Sequence, residues 1–172
     1  MANAPCCAIL PAGAGKTEIL ASACGIVAQD GGRALVLTHT NTGVAALRRR
    51  LLKFGVDTAS ADVQTIAAWS LRWCLRYPNL GNVAIDEDGF PTAYGTHYEG
   101  ATRILQSKAL ATVLRATWDL VLIDEYQDCT VPQHEIVVAI SSSLPVALLG
   151  DPLQSIYNFA GSSDFSGVEG GE

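Results

Sequence analysis

Signals for membrane insertion, secretion and metal binding are missing from this chain of 172 residues. No apolar run reaches the ~18 residues that a membrane-spanning helix requires. The first residues carry no basic leader, so no signal peptide is expected. The five cysteines form no CxxC pair and the three histidines are dispersed along the chain. We therefore expect reduced thiols in a cytoplasmic protein rather than a zinc site.

Charge is scarce, and its distribution is uneven. Residues are 49% hydrophobic and 16% charged, which favours one globular domain built on a sheet that is buried on both faces. The net charge of −6 by itself argues against nucleic-acid binding. Every lysine and arginine lies at or before Arg115. Arg48, Arg49, Arg50 and Lys53 form either the solvated basic end of a helix or a phosphate-contact patch.

Strand and helix signals alternate along the chain. The predicted strands are 6–10, 34–37, 63–65, 120–123 and 145–149. The predicted helices are 17–29, 41–54, 66–76, 101–115 and 132–140. A long excursion is expected over 77–98, and a flexible Gly/Ser/acidic tail over 161–172. This alternation predicts a three-layer α/β fold with a mostly parallel sheet, in which ligands lie at the carboxyl ends of the strands.

A glycine-rich loop, PAGAGKT, follows the first predicted strand at 11–17. Its glycines let backbone N–H groups approach phosphate oxygens, and the following helix adds its positive N-terminus. Lys16 would reach the β- and γ-phosphates, and the Thr17 hydroxyl would bind Mg²⁺. The predicted nucleotide contacts are Ala12, Gly13, Ala14, Gly15, Lys16 and Thr17. The strict GxxxxGK[ST] pattern fails because its first position is Leu10, so a chance Gly/Ala-rich turn is the alternative.

Two adjacent carboxylates, Asp124 and Glu125, follow the apolar strand 120–123. Asp124 would hold Mg²⁺, and Glu125 would polarise the attacking water. The alternative is an acidic cap on the next helix. We expect the Lys16 ammonium and this acid pair to converge from neighbouring strand ends on one metal–triphosphate. The two motifs together predict ATP hydrolysis.

A third cluster, GDPLQSIY, follows the last predicted strand at 150–157. Its Gln154 could touch the γ-phosphate and report whether that group is present. Taken alone, this stretch would be an ordinary turn.

In their order, these motifs resemble the first RecA-like domain of UvrD/Rep-type superfamily 1 DNA helicases. The segments that carry the resemblance are PAGAGKT, VLTHTNTGVAALRRRL, VQTIAAWSL, LVLIDEYQD and LLGDPLQSIYNFAG. The second segment keeps the family's Thr–Asn pair and places His39 where phenylalanine is usual. DEYQD is close to the family's DEFQD, and Ala160 stands where a basic residue is common.

The resemblance implies roles for further residues. Lys16, Glu125 and Gln154 would be catalytic, and Gln127 and Asp128 would couple the nucleotide site to the segment that holds Gln154. The implied single-stranded DNA contacts are His39, Thr40, Asn41, Thr65, Trp69, Tyr157 and Phe159. Bases stack on aromatic faces without sequence preference, but core packing is the alternative for the three aromatic residues.

The resemblance also implies partners and a domain plan. Residues 1–160 would form one RecA-like ATPase domain with a reduced accessory insertion, using ATP and Mg²⁺. Single-stranded DNA and a second RecA-like domain, in cis or in trans, would complete the motor. The main alternative is an ATP-dependent switch that binds nucleic acid or protein without unwinding. A small-molecule kinase or GTPase is less favoured because no NKxD motif occurs, and a catalytically dead structural domain requires that Mg–ATP does not bind.

Overall fold

Five strands alternate with helices in the computed structural model, which describes residues 6–9 and 15–151. The strands are β1 (Cys6–Ile9), β2 (Ala34–Thr38), β3 (Ala61–Thr65), β4 (Leu120–Ile123) and β5 (Val146–Gly150). The helices are α1 (Lys16–Gln29), α2 (Asn41–Lys53), α3 (Ile66–Arg76), α4 (Pro78–Gly81), α5 (Thr96–Leu105), α6 (Lys108–Thr117) and α7 (Val131–Ser141), with a 3₁₀ turn at Tyr126–Asp128. The predicted domain end at 160 and the predicted tail 161–172 lie outside the described residues.

The strands form one sheet in the order β1-β5-β4-β2-β3, and every pairing is parallel. The predicted α/β fold with a parallel sheet is confirmed. One expectation was wrong: β1 and β4 are not neighbours, because β5 lies between them. The end of β4 is therefore flanked by the ends of β2 and β5.

Helices cover both faces of the sheet, because side chains alternate between the two faces of each strand. On β2, Leu35 and Leu37 belong to a core with residues of α3, α5, α6 and α7. Ala34 and Val36 belong to a second core with residues of α1 and α2. The strand is buried over its whole length, as expected for a central parallel strand.

The region after α3 differs from the prediction. The predicted excursion over 77–98 holds the short α4 and the start of α5, and Tyr98 is buried in the core. The predicted helix 101–115 is two helices, because Ser107 takes an extended backbone conformation between them. This break lets both Leu105 and Leu110 reach the core, where they are buried. No helix within residues 15–151 is both long and apolar enough to cross a membrane.

Helix α5 crosses α3 closely at Gly100. A Cβ on Gly100 would collide with Val83 Cγ2 and would lie 2.8 Å from Cys74 Sγ and 3.0 Å from the Gly81 carbonyl oxygen. Gly25, in the middle of α1, is different, since among the described residues a Cβ there would meet only Val56 Cγ2, at 3.9 Å. The two glycines therefore form a matched pair.

We expect Gly100→Ala to destabilise the protein and Gly25→Ala to stabilise it. Overpacking at Gly100 should cost about 1–3 kcal/mol, whereas removal of a helical glycine at Gly25 should contribute about 0.5–1 kcal/mol. Urea unfolding of both variants measures the difference. Stabilisation by Gly100→Ala would contradict the close crossing.

Candidate active site

The N-terminus of α1 is shaped by Gly15. Its φ of 80° and ψ of 26° lie in the left-handed region, and no side chain of the described residues caps the helix there. Only glycine adopts this conformation without strain. The first N–H groups of a helix lack intrahelical partners and carry partial positive charge, so they favour an anion. Ala12, Gly13 and Ala14, the other predicted loop contacts, lie outside the described residues.

Lys16 and Glu125 meet across the site. The Lys16 Nζ lies 2.8 Å from Glu125 Oε2, and the side chains are 13% and 39% exposed. Lys16 opens α1 and Glu125 follows β4, so the ion pair joins two elements far apart in the sequence. The predicted convergence of the lysine and the acid pair is present in this geometry, although their parent strands are separated by β5.

Glu125 has a left-handed backbone, with φ 53° and ψ 47°. Such a conformation in a non-glycine residue costs on the order of 1–3 kcal/mol and requires support from its surroundings. Three contacts supply it: Lys16 Nζ and Gln127 Nε2 each donate to Oε2 at 2.8 Å, and His39 Nε2 lies 3.0 Å from the Glu125 carbonyl oxygen. Because a carbonyl oxygen only accepts, His39 donates from Nε2.

The pKa values of the two adjacent carboxyl groups are shifted in opposite directions. Burial, and then the charge of Glu125, raises the pKa of Asp124 to about 6. Burial would also raise the pKa of Glu125, but hydrogen bonds from Gln127 and Lys16 and the Lys16 charge outweigh it and lower that pKa. Glu125 is therefore ionised at neutral pH and can accept a proton. A cation beside Asp124 would favour the ionised form of its carboxyl group.

Helix α2 contributes a second set of cations. Arg50 Nη1 donates to Thr17 Oγ1 at 2.8 Å, and Arg50, Lys53 and Phe54 line the same cleft as Lys16. The residues of the predicted basic patch do not share one role. Arg50 and Lys53 line the cleft, whereas Arg48 donates to the Val63 carbonyl oxygen at 2.7 Å. The sequence analysis did not place Phe54 in the site. Arg50, Lys53 and Phe54 follow the spacing i, i+3, i+4, which puts all three on one helix face.

The residues around the cleft fit a Mg²⁺–triphosphate. The cleft measures about 590 Å³ and is lined by three cationic side chains, three acidic side chains, Gly15, Thr17 and Phe54. The cations are Lys16, Arg50 and Lys53, and the acids are Glu18, Asp124 and Glu125. The acids repel a bare triphosphate, but a bound Mg²⁺ offsets that repulsion. Mg²⁺ commonly takes one or two protein oxygen ligands together with substrate phosphates, and Thr17 and Asp124 supply such oxygens.

Gln127 connects the acid pair to the end of β5. Its Nε2 donates to Glu125 Oε2 at 2.8 Å, while its Oε1 accepts from the Asp151 N–H at 3.0 Å. Gly150 permits this approach, since a Cβ there would lie 2.6 Å from Gln127 Oε1. These bonds support the coupling role of Gln127, which stays a prediction. Asp128 ends the 3₁₀ turn, and its Oδ1 is buried with no hydrogen-bond partner in the described part of the chain.

The predicted DNA contacts differ in how far they are exposed. Thr40 and Asn41 are exposed at the start of α2, where Thr40 Oγ1 accepts from the Gly43 N–H at 3.0 Å. Thr65 is buried and caps α3 by accepting from the Ala68 N–H at 3.0 Å. His39 is directed toward Glu125, and Cys129 Sγ lies 3.8 Å from the same ring nitrogen. DNA contact by Thr40, Asn41, Thr65 and His39 stays a prediction.

The prediction that Trp69 stacks on a DNA base was wrong. Trp69 is 1% exposed, and its ring packs against Trp73 at 5.6 Å and Trp118 at 6.3 Å between centroids. A ring covered on all sides offers no face to a base, so the core-packing alternative holds. Tyr157 and Phe159, together with Gln154, lie outside the described residues.

The all-parallel sheet, with a lysine-bearing helix start facing an acidic strand end, defines a RecA-like P-loop domain. The chain belongs to the family described as "AAA domain", whose model matches residues 1–160, and its resemblance to superfamily 1 helicase domains is confirmed.

Segments of the chain are similar to parts of much longer proteins. One is an ATP-dependent helicase/nuclease subunit of Lacticaseibacillus casei (strain BL23), which is 35% identical over an alignment 97 residues long; the alignment covers 46% of this chain and 8% of that protein. Another is the RecBCD enzyme subunit RecB of Buchnera aphidicola subsp. Schizaphis graminum (strain Sg), which is 35% identical over 65 residues, or 37% of this chain and 6% of that protein. The matched segments thus span less than a tenth of each relative.

We expect Asp124→Asn to raise the free energy of unfolding of the ligand-free protein at neutral pH. The raised pKa means that the folded chain keeps a proton that the unfolded chain releases, so wild-type stability falls as pH rises from about 4 to about 6. The amide removes this penalty, which is on the order of 1–3 kcal/mol above pH 6. Thermal unfolding at pH 4 and pH 7 measures it. An equal effect at both pH values would contradict the assigned cause.

Proposed function

We propose that this chain is the ATP-binding and ATP-hydrolysing motor domain of a UvrD-like DNA helicase, which couples Mg–ATP hydrolysis to binding and translocation of single-stranded DNA. The observation that carries the proposal is the 2.8 Å contact between Lys16 and Glu125, which brings a phosphate-binding cation and a general base to one point. The relatives, which are subunits of an ATP-dependent helicase/nuclease and of the RecBCD enzyme, support the same function.

Nucleotide binding exchanges the partners of Lys16. The ammonium contacts Glu125 in the structure, and β- and γ-phosphate oxygens at the start of α1 compete for the same donors. Once Lys16 turns to the phosphates, the Gln127 bond remains on Glu125 Oε2, and the carboxylate can accept from water. Arg50 likewise releases the Thr17 hydroxyl, and its guanidinium is left beside the phosphates.

Hydrolysis then requires a group that accepts a proton from the attacking water and a water position in line with the γ-phosphorus. Glu125 takes a proton from the attacking water as the water oxygen bonds to the γ-phosphorus. The bond from that phosphorus to the β,γ-bridging oxygen breaks, and ADP and phosphate result. Thr17 and Asp124 would hold the Mg²⁺, which neutralises charge on the β- and γ-phosphate oxygens. The left-handed backbone of Glu125 aims its side chain at Lys16, where the γ-phosphate would lie.

A second RecA-like domain would complete the enzyme. Arginines supplied to the transition state are worth ~10³–10⁵ in turnover in related phosphoryl-transfer systems. We therefore expect the 172-residue chain alone to bind Mg–ATP, to hydrolyse it slowly, and not to unwind duplex DNA. Exposed Thr40 and Asn41 are the described residues best placed to contact single-stranded DNA. A cytoplasmic location also stays a prediction.

We expect Lys16→Ala to weaken Mg–ATP binding by about 30-fold or more, because the phosphates lose a cationic partner whose side chain is largely buried. Glu125→Gln should keep binding but lower turnover by about 10²–10⁴, because an amide cannot take the proton. Calorimetry and single-turnover phosphate release measure the two effects. Lys108→Ala, at an exposed lysine outside the cleft, is the matched control. Equal binding by wild type and Lys16→Ala would refute the site.

The burial of Trp69 and Thr65 favours a second candidate function, an ATP-dependent switch that binds a protein or nucleic acid without translocation. Both functions use the same nucleotide site and differ in their response to DNA. In the motor, single-stranded DNA should accelerate hydrolysis by the full chain several-fold. In the switch, turnover should stay unchanged while nucleotide alters the affinity for the partner. Phosphate release with and without a single-stranded oligonucleotide separates them, with duplex DNA as the control.

A further inference from the structure

The C-terminal face of α2 continues the nucleotide cleft away from the phosphate-binding residues. Arg50, Lys53 and Phe54 follow the i, i+3, i+4 spacing of one helix face, and all three line the cleft. The guanidinium of Arg50 reaches Thr17 Oγ1 at 2.8 Å. The support for that face of α2 is the core that α2 shares with α1, in which Leu47 and Leu51 pack with Leu20. Phe54 lies about one helical turn, or roughly 5.4 Å, beyond Arg50 along the axis.

Phe54 is the one large apolar side chain among the described residues that line this cleft, and 53% of it is exposed. Its backbone position is well defined, because its N–H points to the Arg50 and Leu51 carbonyl oxygens at 3.3 and 3.0 Å. Gly55, with φ 78°, then turns the chain away from the helix. The ring is thus presented on a well-defined stretch of backbone, and the other described residues of the cleft are charged or polar apart from Gly15.

We propose that Phe54 is the stacking platform for the nucleobase of the bound nucleoside triphosphate. The inference rests on the proposed function and names a contact that the phosphate-binding motifs do not provide. A nucleoside triphosphate carries its charge at one end and a flat, weakly polar ring at the other. With the phosphates at Lys16 and Thr17, the sugar passes Arg50 and Lys53, and the base reaches the ring.

Stacking recognises the face of a base and not its hydrogen-bonding edge. The proposal therefore implies a preference for purine over pyrimidine triphosphates, since purines cover more of the ring, and weak discrimination between ATP and GTP. It also implies that Phe54 is irrelevant to a ligand with three phosphates and no base. Inorganic tripolyphosphate is such a ligand, and it separates stacking from phosphate binding.

The test measures dissociation constants of the full chain for Mg–ATP and for Mg–tripolyphosphate by calorimetry. Phe54→Ala should weaken Mg–ATP binding about 5- to 150-fold, the range that loss of one stacked base gives, and should leave tripolyphosphate binding within about 2-fold. Phe54→Tyr should bind Mg–ATP like wild type. Leu52→Ala is the matched control, because Leu52 is also exposed on α2, at 58%, but does not line the cleft.

Three outcomes would overturn the inference. Unchanged Mg–ATP binding by Phe54→Ala would place the base elsewhere. Equal losses for Mg–ATP and tripolyphosphate would show that Phe54 supports the phosphate site and does not touch the base. If wild type binds tripolyphosphate and Mg–ATP equally tightly, the base makes no contact at all. Failure of wild type to bind either ligand is a different result, because it refutes the proposed function itself.

Discussion

The ion pair between Lys16 and Glu125 depends on the parallel alignment of the sheet. In such a sheet all carboxyl ends lie at one edge, so the helix that follows β1 and the acids that follow β4 open on the same side. Although β5 lies between β1 and β4, Lys16 Nζ and Glu125 Oε2 meet at 2.8 Å at this edge.

The acid pair shows how one strand end can give two carboxylates different properties. Asp124 continues the β4 hydrogen bonding, since its N–H donates to the Leu37 carbonyl oxygen at 2.8 Å, and its carboxyl group is drawn into the interior. Glu125 turns into the left-handed region and projects toward solvent and Lys16. The neighbouring strands supply the supports, His39 after β2 and Gln127 beside β5. The strain at Glu125 and the burial of Asp124 are thus stabilised by the sheet around them.

The sequence predicted what is local and missed what depends on packing. Lys16, Asp124 and Glu125 could be identified because glycine-rich and acidic motifs follow strands directly, and the alternation of elements predicted a parallel sheet. The position of β5 could not be read, since strand order depends on contacts between distant segments. Trp69 was misassigned because its burial depends on Trp118, far along the chain. Phe54 was missed because the position of α2 relative to α1 depends on the core that the two helices share, which joins residues far apart in the sequence.

The Gln127 amide has a consequence for signalling within the domain. Its two ends are bonded at once, to Glu125 Oε2 and to the Asp151 N–H, and a side chain at position 150 would collide with its Oε1. The amide therefore cannot rotate without breaking one of these bonds. A change in the charge balance at Glu125 would act on the backbone at residue 151 through a single rigid group. If Gln127 has the coupling role that we predict for it, one planar amide would connect Glu125 to the end of β5 without any hinge motion.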